Sequence, residues 1–554
     1  VSSLLWILVV IGLAGSMEST TVVKPESVLV VDLAEDITDA PATNPLGAID
    51  FNTFTVRKSL SLMNVLKAVE AAKNDERIKG IYLRMNGEGV VDIAALEEIR
   101  TALEEFKQSG KFIVSFNEGY SQVSYYLASV ADKIYIQPEG GMNWQGLSST
   151  LMFYTGLFEK LDMKVDIFRP TACKYKSAVE PYFLKKMSPE NRQQMASLSE
   201  STWNVILDAV SASRGIDKKE LNRLADNLAV SMPEEALKHK FVDGLIYEDQ
   251  MNDVFKEFGV ELDDDGECAK VTLGEYAAQV VDLQNISAEK VAIVYANGQI
   301  FDGTGEQEAI YGQTMSETIK SVRLDDKVKA VVLRVNSPGG SALASDVIWR
   351  EIELLKEKKP VVISMGSMAA SGGYYISAPG DVIVSDKLTL TGSIGVFGMI
   401  MNPNNMLTNK VGLSFDSVST NDHSTLGSFG HNMDAVERAT IMKSVDKVYT
   451  RFTSLVAEGR NLPIEKVLDI AAGRVWTGVQ AQEIGLVDTL GGLNTAISMA
   501  AEKADLENYR VEEVTSSEDP FAALMSGLGV KIRSSILRSE MGSETYTLYN
   551  KVKS

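Results

Sequence analysis

The stretch VVISMGSMAASGGYYISAPGDVIVS (Val361–Ser385) has a counterpart earlier in the same chain, FIVSFNEGYSQVSYYLASVADKIYI (Phe112–Ile136), with Tyr374 and Tyr375 falling on Tyr125 and Tyr126. Working outward, DDKVKAVVLRVN (Asp325–Asn336) matches DERIKGIYLRMN (Asp75–Asn86) and sets Arg334 on Arg84. Further on, VQAQEIGLVDTLG matches EEALKHKFVDGLI and sets Asp488 on Asp243. A spacing that stays near about 250 residues through all these blocks marks a duplication: two domains of one fold, with a period far too long for a solenoid.

Each copy alternates strand and helix. The β-branched runs Ala330–Arg334, Val361–Met365 and Val382–Ser385 read as buried strands. Ser341–Lys356 reads as a helix with Leu343, Val347, Ile348 and Ile352 on its packed face, and a shorter helix starts at Ser371. Ser188–Arg214 and Asp434–Arg460 read as long helices in corresponding places. The expected fold class is α/β, a tandem duplication of repeated strand–helix units with active loops at strand ends. The first repeat is assigned to residues 27–270 and the second to 285–505, with the boundary between Asp263 and Lys290 and an unassigned tail over 506–554. Ahead of them, Leu4–Ala14 is almost wholly apolar. Residues 1–20 are read first as a membrane anchor, truncated because the chain begins at Val1, and second as a signal segment; either places the rest outside the cytoplasm.

Composition narrows the function. Of 554 residues, 45% are hydrophobic and 23% charged, as in folded globular proteins. The net charge of −21 argues against a nucleic-acid partner, which needs a basic face. Cys173 and Cys268 give neither a disulfide framework nor metal-ligand spacing.

Differences between the copies point to chemistry. Ser371 falls on Gln122, Gly372 and Gly373 on Val123 and Ser124, and NSPGGS (Asn336–Ser341) on NGEGVV (Asn86–Val91). A serine where a strand turns into a helix is commonly an N-cap. The same position offers free backbone N–H groups to a developing anion, so Ser371 is equally a candidate nucleophile. Gly372 supplies one candidate oxyanion donor and Gly339 or Gly340 the other, and the glycines after Ser371 would let a substrate backbone come close. The base is less obvious. His239, His423 and His431 are scattered, and His423 beside Asp422 in a loop does not make a triad. A lysine kept neutral by burial can replace histidine; Lys176, followed by Ser177, Ala178 and Val179, is such a candidate against the ordinary reading of a solvated lysine.

The motifs NSPGGS, SMAASGGYYISA, TGSIGV and YKSAVEP, in a duplicated chain behind an apolar N-terminus, resemble the signal peptide peptidase A (protease IV) family in its long two-domain bacterial form, and more distantly the ClpP/crotonase fold group. The resemblance implies a serine protease with Ser371 as nucleophile, Lys176 rather than Lys174 as general base, and Ser393 of TGSIG as the hydroxyl that orients the lysine. Ser393 falls on Trp144 in the first copy. It implies no metal and no cofactor. It further implies cleaved signal peptides and other apolar peptides as substrates, a homotetramer, and a place at the bacterial inner membrane with the catalytic part facing the periplasm. A crotonase-like acyl-CoA enzyme and a catalytically idle membrane scaffold are the alternative classes.

Overall fold

The computed structural model describes residues 23–33, 36–41, 49–50, 55–56, 59–85, 92–281, 287–305, 309–428 and 430–514. The apolar segment 1–20, the NGEGVV stretch and the tail from 515 lie outside the described residues. Among the described residues no helix is long and apolar enough to cross a membrane.

Two parallel sheets carry the chain. In the first copy β1 (Ser27–Asp32), β2 (Ile78–Arg84), β3 (Phe112–Asn117), β4 (Lys133–Ile136), β5 (Gly244–Leu245) and β6 (Lys270–Thr272) lie in the order β5-β4-β3-β2-β1-β6. In the second, β7 (Lys290–Asn297), β8 (Val328–Ser337), β9 (Val361–Ala370), β10 (Val382–Ser385), β13 (Thr489–Leu490) and β14 (Arg510–Val514) repeat that order as β13-β10-β9-β8-β7-β14. Both sheets are buried by helices, which is why their strands read as continuous apolar runs rather than alternating ones. The intervening strands β11 (Leu390–Gly392) and β12 (Val475–Thr477) are an addition to the second sheet: β11 pairs with the last residues of β9, and β12 runs antiparallel to β11.

The duplication extends to hydrogen bonds. The Tyr125 hydroxyl donates to the Phe241 carbonyl and that of Tyr374 to the Leu486 carbonyl, both at 2.8 Å. Asp243 accepts the Ile134 N–H at 2.9 Å, as Asp488 accepts that of Ile383 at 2.7 Å. Lys111 and Lys359 each donate to two carbonyls of the preceding helix–strand connection. Residues shared by the copies therefore serve the fold.

The helices that matter for the site are α1 (Ile93–Lys107), α2 (Gln122–Ala128), α3 (Pro189–Arg214), α4 (Ala342–Lys356), α5 (Gly372–Ser377) and α6 (Ala435–Gly459). Ser188, Ser341 and Asp434 cap α3, α4 and α6 with their side chains. The expected packed face of α4 is partly corrected. Ala344, Ile348, Ile352 and Leu355 are buried, while Leu343 and Val347 are 67% and 39% exposed. Those two lie about 100° around the helix from the buried stripe, and that rotation turns them to solvent. The first sheet also runs past residue 270. Asp263–Gly266 is a turn in which Asp263 accepts the N–H groups of Asp265 and Glu267, and it returns the chain to β6. The second sheet likewise runs past 505, since β14 pairs with β7. Cys173 and Cys268 are both buried and unpaired.

The copies are joined by buried charge. Arg334, 1% exposed, pairs with Asp39 at 2.8 Å and with Glu98 of α1 at 2.7 Å, and donates to Ser364 at 2.9 Å. Glu98 also accepts the Leu493 N–H at 2.6 Å, and Asn336 donates to Asp92 at 2.7 Å. Its counterpart Arg84 ends β2 within the first copy, facing Asp32 and Glu248 with a quarter of its side chain exposed. Arg334→Met leaves two carboxylates buried without their cation and is expected to lower stability in urea unfolding by about 3–5 kcal/mol. Arg84→Met, removing partly exposed pairs, is expected to cost about 1 kcal/mol or less.

Candidate active site

Ser371 sits at the junction of β9 and α5 with φ 55° and ψ −118°. A non-glycine residue at positive φ stores strain of about 1–3 kcal/mol, which the surroundings must hold in place. Its amide donates to the Gly392 carbonyl at 2.9 Å, and its own carbonyl accepts the Tyr375 N–H at 2.9 Å. The side chain makes no cap hydrogen bond. The contrast with the first copy is direct: Ser121, at the start of α2, has an ordinary extended backbone and does cap its helix through the Ser124 N–H. The capping role belongs to the first copy, and in the second the hydroxyl is turned elsewhere.

It is turned to Lys176. The Lys176 Nζ lies 3.0 Å from Ser371 Oγ, 2.8 Å from Ser393 Oγ and 2.8 Å from the Ser393 carbonyl oxygen. Lys176 is 5% exposed, and burial lowers its ammonium from the usual lysine range to about 7, with the nearby Cys173 acting in the opposite sense. Lys174 is exposed and lies over the Tyr175 ring. Lysine, nucleophile-type serine and second serine, singled out separately in the sequence, thus meet at one point between the copies.

Lys176 ends an irregular segment that several residues fix. The following turn, Ser177–Tyr182, carries Glu180, fully buried, which accepts the Ser188 hydroxyl at 2.6 Å and the Asn191 amide at 2.9 Å and so ties the segment to the start of α3. Gln194 of α3 donates to Ser177 and accepts the Val475 N–H at 2.9 Å, linking the lysine segment to the second copy. Ala472 accepts the Tyr175 N–H at 2.9 Å, and the Ser393 N–H reaches the Arg474 carbonyl at 2.7 Å. Between them Gly473, at φ 78°, passes so close that a Cβ there would stand 2.6 Å from Lys176 Cβ. Glu180, Gln194 and Gly473 were not singled out in the sequence. Glu180 lies inside YKSAVEP and Gly473 in the AAGR turn, but only the docked copies reveal what either one touches.

The oxyanion candidates also converge. A Cβ on Gly339, at φ 93°, would lie 2.4 Å from the Gly372 nitrogen and 2.8 Å from Ser371 Cβ, so the SPGG turn rests against the serine. The Gly339 N–H donates to Ser337 Oγ at 3.1 Å. The Gly340 nitrogen lies 3.1 Å from where a Gly372 Cβ would stand. One expectation changes here. The space beside Gly372 and Gly373 is filled by Ser345, Gly340 and Ser337 of this chain, so those glycines admit the β8–α4 turn rather than a substrate backbone.

The histidines are elsewhere. His423 faces Asp434 and Glu437, and His431 bonds Glu437 at 2.7 Å. His239 follows the helix Pro233–Lys238 of the first copy. In the first copy the place of Ser393 is taken by Trp144, 1% exposed, whose indole donates to the Leu221 carbonyl at 2.9 Å and packs on Tyr125 and Phe241. That position is filled with core where the second copy keeps a polar site.

Comparison with known proteins identifies the family. The model of peptidase family S49 matches residues 105–263 and again 353–507, more than half of the chain and once in each copy. The chain is 36% identical to "Protease 4" of Salmonella typhi over 516 residues, 91% of this chain and 82% of that protein. It is 33% identical to "Serine protease SPPA, chloroplastic" of Arabidopsis thaliana over 85% of this chain and 70% of that one. It is 34% identical to "Putative signal peptide peptidase SppA" of Enterococcus faecium over 45% of this chain and 73% of that one. The acyl-CoA and scaffold alternatives find no support among these matches, and with the family model recurring in both halves, the chain belongs to peptidase family S49.

Proposed function

We propose that this serine protease works through a Ser371–Lys176 dyad assembled from its two copies, and the observation that carries the reading is the 3.0 Å contact between Lys176 Nζ and Ser371 Oγ in a buried site. A neutral amine has two N–H donors and one lone pair. With the donors directed to the carbonyl and hydroxyl oxygens of Ser393, the lone pair is left for the Ser371 proton. Lys176 takes that proton as Ser371 Oγ attacks the peptide carbonyl, then returns it to the departing amine. Water, activated by the same lysine, hydrolyses the acyl-enzyme. The developing oxyanion is received by the Gly372 N–H and that of Gly340; Gly339 is the weaker candidate because its N–H is already given to Ser337. Ser393 orients the lysine.

Apolar peptides are the substrate class we favour, cleaved signal peptides among them. The name of the Enterococcus relative supports this, as do the exposed side chains of Phe397, Ile400 and Met401 just beyond Ser393. The same reading places the enzyme as a homotetramer at the bacterial inner membrane with its sites facing the periplasm, held by residues 1–20. Residues 27–270 supply the base and 285–505 the nucleophile.

Four measurements test the dyad. A fluorophosphonate probe should label Ser371, and peptide cleavage should fall to background in Ser371→Ala and in Lys176→Ala; full activity in Lys176→Ala would overturn the assignment. Because the unprotonated amine is the active form, kcat/KM should be flat above about pH 7 and fall about tenfold per pH unit below it, as Lys176 acquires its proton. In Ser393→Ala the lysine loses one of its two anchors, and kcat should fall by up to about 10²-fold with KM little changed.

A further inference from the structure

Away from the Ser371 site, the loop before α6 and the first turn of that helix bring together His423, Asp434 and Glu437, with one potential ligand atom from each inside a 4.8 Å cluster. His423 Nδ1 stands 3.5 Å from Asp434 Oδ2 and 3.4 Å from Glu437 Oε1. A tetrahedral zinc ion with N and O ligands at about 2.0–2.1 Å has ligand-to-ligand edges of about 3.3–3.4 Å. Two of the edges are therefore already close to the length a bound ion would impose.

Helix capping accounts for only half of each carboxylate. Asp434 Oδ1 accepts the Glu437 N–H at 2.9 Å, and Glu437 Oε2 accepts the Asp434 N–H at 3.0 Å, a reciprocal capping box. His431 Nε2 also bonds Glu437 Oε2, at 2.7 Å, and its other ring nitrogen meets Thr425 Oγ1 at 3.1 Å. The remaining oxygens, Asp434 Oδ2 and Glu437 Oε1, both face His423. Glu437 is 2% exposed, and its Oε1 makes no close hydrogen bond, meeting only the His423 ring at 3.4 Å. A buried carboxylate oxygen held by one long contact is under-satisfied, and a cation seated between it and the imidazole satisfies both. The capping box and His431 hold the two carboxylates as an outer shell holds metal ligands.

We propose that His423, Asp434 and Glu437 form a structural zinc site that fastens the exposed loop after Gly412 to the start of α6. One imidazole and two carboxylates suit a divalent first-row ion, and zinc binds such mixed N/O sets tightly. His423 and Asp434 are about half exposed, which leaves a fourth position open to water. The residue after Glu437 is Arg438, which pairs with Asp166 of the strand Lys164–Phe168. The ion would thus brace the point where α6 grips the first copy.

The test uses the full chain, stripped with chelator and titrated with zinc chloride by calorimetry, with cobalt(II) absorption as a second readout. One equivalent of zinc should bind per chain at micromolar concentration, and cobalt should give the visible bands of a four- or five-coordinate site. His423→Ala, a half-exposed change that removes one ligand and leaves the capping box intact, should abolish zinc uptake at micromolar concentration and remove the cobalt bands. His239→Ala should bind as the parent does. Failure to take up zinc, or uptake that His423→Ala leaves unchanged, would overturn the site.

Discussion

A lysine amine becomes neutral near neutral pH only when water is kept from it, and neither copy of this duplicated fold can do that alone. Lys176 belongs to the first copy, but the oxygen atoms around its Nζ belong to Ser371 and Ser393 of the second. Desolvation is the main cause of its lowered affinity for a proton, so the docking of the copies and the chemistry of the site are one requirement. The buried Arg334–Asp39–Glu98 cluster, the Gln194 bridge and the pairing of Lys164–Phe168 with Gly398–Asn402 all serve that docking. A loss of fit anywhere along this seam admits water to the amine and restores its charge.

The two copies show what duplication leaves free to change. Tyrosine–carbonyl and aspartate–amide bonds repeat in both, because they close the same strand–helix connections. The start of the helix after the third strand does not repeat. One copy spends its serine on a cap with a relaxed backbone; the other bends the chain into positive φ and leaves the hydroxyl free for another partner. Likewise a tryptophan that fills core in the first copy stands where the second has a serine against the lysine. The structural copy carries bulk, and the copy with the strained turn carries polar atoms.

How much of this was legible beforehand depended on whether the determining contact was local. The paired sequence blocks revealed the duplication and the α/β alternation, because buried strands and turn glycines are written in short windows. Ser371 stood out by differing from Gln122, while Ser393 entered with the family motif and falls on Trp144. Lys176 was a weak candidate from its small neighbours until the family motif strengthened it, since its environment is made by residues some two hundred positions away. Arg334 misled in the opposite way. It matches Arg84 in sequence and resembles a fold-wide requirement, yet it alone is buried between the copies. The faces of α4 could not be told apart by periodicity, because Leu343 and Val347 extend the apolar stripe onto a flank that the neighbouring helix does not cover. The His423 cluster spans a long loop, and no short motif announces it.

The order of the parts along the chain has a consequence for biosynthesis. The lysine segment leaves the ribosome long before the strained β9–α5 turn, since Ser371 comes 195 positions after Lys176. On the proposed dyad, a growing polypeptide carries no complete hydrolytic centre while its first copy folds, and a fragment that ends between the two residues lacks the nucleophile. The division of labour between the copies then acts as a safeguard against premature self-digestion.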